Sequence, residues 1–161
     1  FQKPSQNQIG ELLLRTLGNV QTGVGTADSG RAVVRRQLEA WGIDSSQAAI
    51  RDGSGLSRRN FISPWALLRI LDVMRNHPAY YAWYAALPVA GVDGTLRERM
   101  RDSPATGNLR AKTGTLDRVR SLSGYVTTAD GQLLMFSILA NNHSVPTREV
   151  ERVQDALLTA L

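Results

Sequence analysis

Lys112, Thr113, Gly114 and Thr115 form the segment whose residue types point most directly to chemistry. A lysine in an apolar strand is costly to bury without a partner, and a glycine leaves room for a second backbone or a ligand. This combination is typical of an edge strand beside a cleft. There an ammonium group can bind a carboxylate, and the hydroxyls of Thr113 and Thr115 can donate to the same anion. An exposed lysine before a turn is the alternative.

Ser5, Gln6 and Asn7 form a second candidate group. A serine at the start of a helix most often caps it. A hydroxyl near a lysine can also relay a proton to a departing amine. An asparagine amide can donate to a substrate carbonyl and accept from a catalytic lysine. The two interpretations of Ser5 are compatible with each other.

The composition predicts a folded chain with a real core. The 161 residues are 42% hydrophobic, and cysteine is absent, which excludes disulfides and thiolate metal sites. His77 and His143 have no carboxylate spacing typical of zinc, so neither a metal nor a cofactor is expected. The net charge of +5 favours anionic partners, but no nucleic-acid motif accompanies it. Nucleic acid is therefore not an expected partner.

Helical periodicity and end signals predict five helices. The first covers residues 6–17, with Ser5 as its cap and Gly18 as its stop, and a loop at 23–30 precedes the second at 31–41. A third begins at Pro64, a short aromatic helix covers 79–86, and the last begins at Pro146. Its apolar positions, which should pack on a sheet, are Val150, Val153, Leu157 and Leu158.

Strand patterns follow the helices in the second half of the chain. Residues 109–115, 121–128 and 133–141 are predicted strands, and Asp130-Gly131 is a hairpin turn between the last two. These three strands form an antiparallel meander. A short strand is also predicted at 48–51. No linker or repeat indicates a second domain.

Besides the two short groups at Ser5–Asn7 and Lys112–Thr115, three longer runs in the sequence resemble a known protein family. They are Asp52-Gly53-Ser54-Gly55-Leu56-Ser57-Arg58 with Asn60, Leu87-Pro88-Val89-Ala90-Gly91-Val92-Asp93-Gly94-Thr95-Leu96, and Gly124-Tyr125-Val126. With these runs, the chain resembles the carboxy-terminal part of a D-alanyl-D-alanine carboxypeptidase/endopeptidase. This is a low-molecular-mass penicillin-binding protein with a large insertion between its first and second motifs.

The resemblance implies an α/β (α+β) fold of the β-lactamase/DD-peptidase type, an antiparallel sheet flanked by helices. The fold is incomplete here and lacks its amino-terminal portion. Residues 1–161 would be the carboxy-terminal part of the transpeptidase-like, penicillin-binding domain. An extracytoplasmic location, periplasmic or in the bacterial cell envelope, follows from the same resemblance.

The resemblance also implies site residues and ligands. Ser5 is the proton relay, Asn7 contacts the substrate amide, and Lys112 completes the catalytic set. Thr113, Gly114 and Thr115 belong with Lys112 to the strand that binds the terminal carboxylate. The ligands implied are a peptidoglycan stem peptide ending in D-Ala-D-Ala and β-lactam antibiotics.

The nucleophile motif of this family, Ser-x-x-Lys, is not found in the chain. The lysines of the chain are Lys3 and Lys112. Leu109 stands three residues before Lys112, where the motif requires a serine, and Lys3 has no residue three positions before it. We therefore expect the nucleophile on sequence before Phe1, in the amino-terminal part of the same protein, and the chain alone to be inactive. A noncatalytic peptidoglycan-binding or scaffold protein of the same fold is the alternative, and a serine β-lactamase is a weaker one.

Overall fold

The computed structural model describes all residues 1–161. Its helices are α1 (Asn7–Thr22), α2 (Ala27–Ala40), α3 (Pro64–Arg75), α4 (Tyr80–Ala86) and α5 (Thr147–Thr159), with a 3-10 turn at Gly94–Leu96. Its strands are β1 (Ala48–Ala49), β2 (Phe61–Ile62), β3 (Arg110–Leu116), β4 (Val119–Thr127) and β5 (Leu133–Asn141). None of the helices has the length and apolar character needed to cross a membrane.

The chain divides into two compact units. The helical unit comprises Phe1 and Gln6–Ile70, and the sheet unit comprises Gln2–Ser5 and Leu71–Leu161. The boundary lies inside α3, where no linker composition marks it. That both units belong to one transpeptidase-like domain stays a prediction.

Within the helical unit, α1 and α2 approach so closely that only glycine fits where they meet. A Cβ atom at Gly30 would lie 2.0 Å from the carbonyl oxygen of Leu14, and one at Gly18 would lie 2.3 Å from Ser29 Oγ. The prediction that Gly18 ends the first helix is therefore wrong. The helix continues to Thr22 and ends at Gly23, which has a left-handed φ of 75°.

The second helix begins earlier than predicted. Residue 27 is its first residue, and the predicted loop at 23–30 shortens accordingly. Thr26 Oγ1 accepts from the Ser29 backbone N–H at 3.2 Å, and Ser29 Oγ accepts from the Thr26 N–H at 3.2 Å. This is a capping box with serine where Glu or Gln is usual, so the pattern was missed.

A two-residue antiparallel pair completes the helical unit. Ala48 pairs with Ile62, and Ala49 with Phe61. The predicted strand at 48–51 is thus confirmed in part, and its partner was missed because two residues show no periodicity. The core of this unit is built from Leu38, Ile43, Ala48 and Ala66.

The sheet unit contains the predicted antiparallel meander, in the order β3-β4-β5. Strand side chains alternate between faces, so Ala111, Leu122 and Val126 share one face. All three lie in a single core cluster with Leu158 of α5. The prediction that the last helix packs on the sheet is confirmed, and of the four expected residues Leu158 lies in this core. Val153 and Leu157 are 60% and 56% exposed, whereas Gln154 and Leu158 are buried.

The opposite face of the sheet carries Lys112 and the fully buried Tyr125. The ring of Tyr125 meets those of Tyr80 and Tyr84 of α4 edge to face, with centroids 5.9 and 5.6 Å apart. Its hydroxyl donates to the Leu71 carbonyl oxygen at 2.7 Å, and burial raises its pKa to about 12. One face of the sheet is thus covered by α5, and α4 packs on the Tyr125 end of the other.

The crossing of α1 and α2 gives a test of packing. We expect Gly30→Ala to lower the free energy of unfolding by about 2 kcal/mol, although alanine favours an isolated helix. The reason is that its Cβ overlaps the Leu14 backbone. Gly25→Ala is the control, since a Cβ there meets its nearest neighbour at an ordinary 3.6 Å. Urea unfolding followed by circular dichroism checks both, and equal stability of the two variants would contradict the packing argument.

Candidate active site

Lys112 is the centre of the candidate site. It lies in β3, opposite Ser123 of β4, and its side chain is half-buried. Its Nζ donates to Ser5 Oγ at 2.7 Å and to the Thr113 carbonyl oxygen at 2.8 Å. Burial lowers the pKa of this ammonium group from its ordinary value of 10.5. The structure therefore brings together two of the residues selected from the sequence, Ser5 and Lys112.

Ser5 reaches Lys112 from a turn. Its backbone N–H donates to the Gln2 carbonyl oxygen at 3.2 Å, and its φ of 56° lies in the left-handed region. The prediction that Ser5 caps the first helix is wrong, because Gln6 occupies the cap position without a side-chain capping bond. The hydroxyl is thus not used by the helix. Since its oxygen accepts from the ammonium group, its own proton can be given to another acceptor.

Thr113 and its neighbours occupy an edge of the sheet. Thr113 Oγ1 donates to Thr95 Oγ1 at 2.8 Å, and Thr115 is exposed. Gly114 faces Ser121, where a Cβ atom would lie 2.3 Å from Ser121 Oγ. No strand pairs with β3 on its outer side beyond the single bridge between Val89 and Arg110. The backbone from Lys112 onward is therefore open to an extended ligand.

Asn7, the remaining predicted site residue, is the first residue of α1 and is exposed. It belongs to the helical unit, whereas Ser5 and Lys112 belong to the sheet unit. The first turns of α1 are fixed by the glycine-rich loop that follows β1. Glu11 Oε1 accepts from the backbone N–H groups of Gly53 and Ser54 at 3.0 and 2.9 Å.

That glycine-rich loop is organised by a carboxylate. Asp52 accepts from the backbone N–H groups of Gly55 and Ser57 at 2.8 and 2.6 Å and from Asn60 Nδ2 at 2.9 Å. These bonds give Asp52 a structural role in the loop. No group of three or more histidine, aspartate or glutamate side chains is placed to hold a metal ion.

Sequence reasoning missed three residues around Ser5. Lys3 forms an ion pair with Asp93, and the backbone N–H of Thr95 donates to the Lys3 carbonyl oxygen at 3.1 Å. Asp93 and Thr95 lie in the run from Leu87 to Leu96, but their residue types alone predict no role for either. Lys3 stands two residues before Ser5 and is one of only two lysines, which is the one signal that could have selected it.

Comparison with known proteins identifies the family. Residues 1–161 match the D-Ala-D-Ala carboxypeptidase 3 (S13) family. The chain belongs to this family. It is 40% identical over 166 residues to a D-alanyl-D-alanine carboxypeptidase of an Actinomadura species, and 33% identical over 145 residues to the D-alanyl-D-alanine carboxypeptidase DacB of Haemophilus influenzae. These matches cover 100% and 88% of this chain.

The fold of the chain is similar to that of a solved structure. Penicillin-binding protein 4 (DacB) of Haemophilus influenzae, in complex with a β-lactam, is similar with a TM-score of 0.84 and 31% identity over 94% of this chain. The family and the fold expected from the sequence are confirmed. The chain spans 30% of the length of each of the two curated family relatives and 37% of the solved chain.

The lowered pKa of Lys112 predicts a pH dependence of stability. The folded chain holds this proton less tightly than the unfolded chain. The free energy of unfolding should therefore rise with pH between the lowered pKa and about 10.5. Lys112→Met should abolish that part of the rise. Urea unfolding of both proteins from pH 7 to 10.5 checks this, and identical pH profiles would contradict it.

Proposed function

We propose that this chain is the carboxy-terminal part of the catalytic domain of a serine DD-carboxypeptidase/endopeptidase. Its substrate would be a peptidoglycan stem peptide ending in D-Ala-D-Ala, and β-lactams would inhibit it. One observation carries this proposal, the 2.7 Å contact between Lys112 Nζ and Ser5 Oγ beside an open edge strand. Membership of the D-Ala-D-Ala carboxypeptidase family supports the substrate class.

The binding part of the reaction belongs to β3. The Lys112 ammonium group attracts the terminal carboxylate. The Thr115 hydroxyl donates to it, and the Thr113 hydroxyl does so by turning from Thr95 to the ligand. Gly114 lets the peptide backbone lie against the strand edge, where it can add main-chain hydrogen bonds. Asn7 would hold the substrate amide through its side-chain amide group.

The chemical part is acyl transfer to a serine. The serine oxygen bonds to the carbonyl carbon of the penultimate D-Ala, and the bond from that carbon to the terminal D-Ala nitrogen breaks. The departing amine needs a proton. The Ser5 hydroxyl would supply it and recover the proton released by the attacking serine. Water then hydrolyses the acyl ester and frees the serine.

The attacking serine and its lysine would come from outside residues 1–161. Ser-x-x-Lys is not found here, and both lysines of the chain are engaged, Lys3 with Asp93 and Lys112 with Ser5. We infer that the amino-terminal part of the same protein supplies the motif and that residues 1–161 alone are inactive. Because the substrate is cell-wall peptide, the protein would act outside the cytoplasm.

The missing motif is also the observation that favours a second candidate function. A chain that kept the carboxylate-binding strand but has no nucleophile would bind peptidoglycan peptides without cleaving them. Such a protein would be a noncatalytic scaffold. A β-lactamase would instead form the acyl-enzyme and hydrolyse it rapidly.

Labelling with a fluorescent penicillin separates these functions. We expect the label on the whole protein that contains this chain, at a serine outside residues 1–161, located by mass analysis of every polypeptide in the sample. An unlabelled whole protein would favour the scaffold. A label that is lost within seconds would favour the β-lactamase.

The role of Lys112 gives a second test. In the whole protein, Lys112→Ala should reduce the rate of acylation by penicillin about a hundredfold, because the ammonium group that binds the carboxylate is lost. Arg118→Ala is the control, since it removes an exposed cation from the same β3–β4 hairpin. Acylation of Lys112→Ala at the parent rate would refute the assignment of Lys112.

A further inference from the structure

The turn that carries Ser5 is not held by its own backbone alone. Its φ of 56° is uncommon for a residue other than glycine, and such a conformation persists only where surrounding contacts fix it. The contacts within the sheet unit come from Lys3, in the same turn. Its ammonium group pairs with Asp93, and its carbonyl oxygen accepts from the Thr95 N–H at 3.1 Å.

The partner loop is in turn fixed to β3. Asp93 Oδ1 accepts from the Val89 N–H at 2.9 Å, and Val89 forms a bridge with Arg110. Gly94 has a left-handed φ of 57°, and a Cβ atom there would lie 2.6 Å from the Lys3 carbonyl oxygen. The turn at 2–5 and the loop at 89–95 are therefore in close backbone contact. Loop and strand together set where Ser5 stands relative to Lys112.

We propose that Lys3 and Asp93 are positioning residues that hold the Ser5 hydroxyl against the Lys112 ammonium group. This inference rests on the proposed function of Lys112 and Ser5. The two side chains of the pair are 35% and 29% exposed. Pairs with this much solvent contact contribute little to stability, so losing the pair should not unfold the chain. It should displace Ser5, because the pair is one of the contacts that fix its turn.

A measurement on Lys112 tests the contact independently of catalysis. Removing the positive charge of Lys3 raises the pKa of Lys112 if charge alone acts, and the released Asp93 carboxylate raises it further. Losing the Ser5 oxygen as an acceptor lowers it, because that hydrogen bond favours the charged form. Lys3→Met is expected to lower the pKa of Lys112, as Ser5→Ala should. A change of charge alone would therefore raise the pKa of Lys112 in Lys3→Met, whereas displacement of Ser5 would lower it.

Nitrogen-15 NMR of lysine side chains provides this readout, with the Lys112 signal assigned by its loss in Lys112→Met. Arg152→Met is the matched control. It removes a cation from an exposed pair with Glu149 on α5, the helix on the opposite face of the sheet. It should leave the Lys112 pKa unchanged. A Lys112 pKa in Lys3→Met equal to or above that of the parent protein would overturn the proposal.

Acylation kinetics separate this inference from the function on which it rests. In the whole protein, Lys3→Met and Asp93→Asn should each lower the acylation rate constant for penicillin about tenfold, because Ser5 is misplaced. The double variant should lose no more than either single variant. The dissociation constant of the initial complex should stay within about twofold, since Lys112 and Thr113 still bind the carboxylate. A lowered Lys112 pKa in Lys3→Met with no acylation of the parent protein would refute the proposed function and leave the positioning contact supported.

Discussion

A half-buried ammonium group on an edge strand needs acceptors for its protons, and this requirement organises the site. Burial disfavours the charged form of Lys112 and lowers its pKa. The Thr113 carbonyl oxygen accepts one of these protons from within β3. The second acceptor, Ser5 Oγ, comes from a turn 107 residues earlier in the sequence. The need to satisfy Lys112 therefore joins two segments whose chemistry would be incomplete if either stood alone.

The loop between α4 and β3 makes that meeting possible. Its first part runs beside β3, since the Ala111 N–H donates to the Pro88 carbonyl oxygen at 3.0 Å. Its last part holds the turn of Ser5 through Asp93 and Thr95. Burial works to raise the pKa of Asp93. Three effects outweigh burial and keep the pKa of Asp93 low. They are the hydrogen bond from Lys3, the hydrogen bond from the Val89 N–H and the positive charge of Lys3. The carboxylate thus stays charged and can hold both ends of the contact.

The sequence predicted the sheet well because its strands are seven to nine residues long, and the last two are separated by a recognisable turn at Asp130-Gly131. Sequence patterns failed where a contact distant in sequence decides the local structure. Gly18 is a helix stop by propensity, but close packing with α2 makes it an interior residue. Ser5 is a cap by type, but its hydroxyl turns to Lys112 instead. In the site, residue types selected the pair of Ser5 and Lys112, while Lys3 and Asp93 were missed because their pairing depends on the folded loop.

The alternation of β3 also restricts how an anion can be bound. Lys112 projects from the face that carries Tyr125, and Thr113 and Thr115 project from the opposite face, with Ala111. An ammonium group and two hydroxyls on opposite faces can act on one carboxylate only at the open edge of the strand. There Gly114 has no side chain to block the approach. A ligand that uses all three groups must therefore approach the strand edge itself, in the extended conformation that a peptide terminus can adopt.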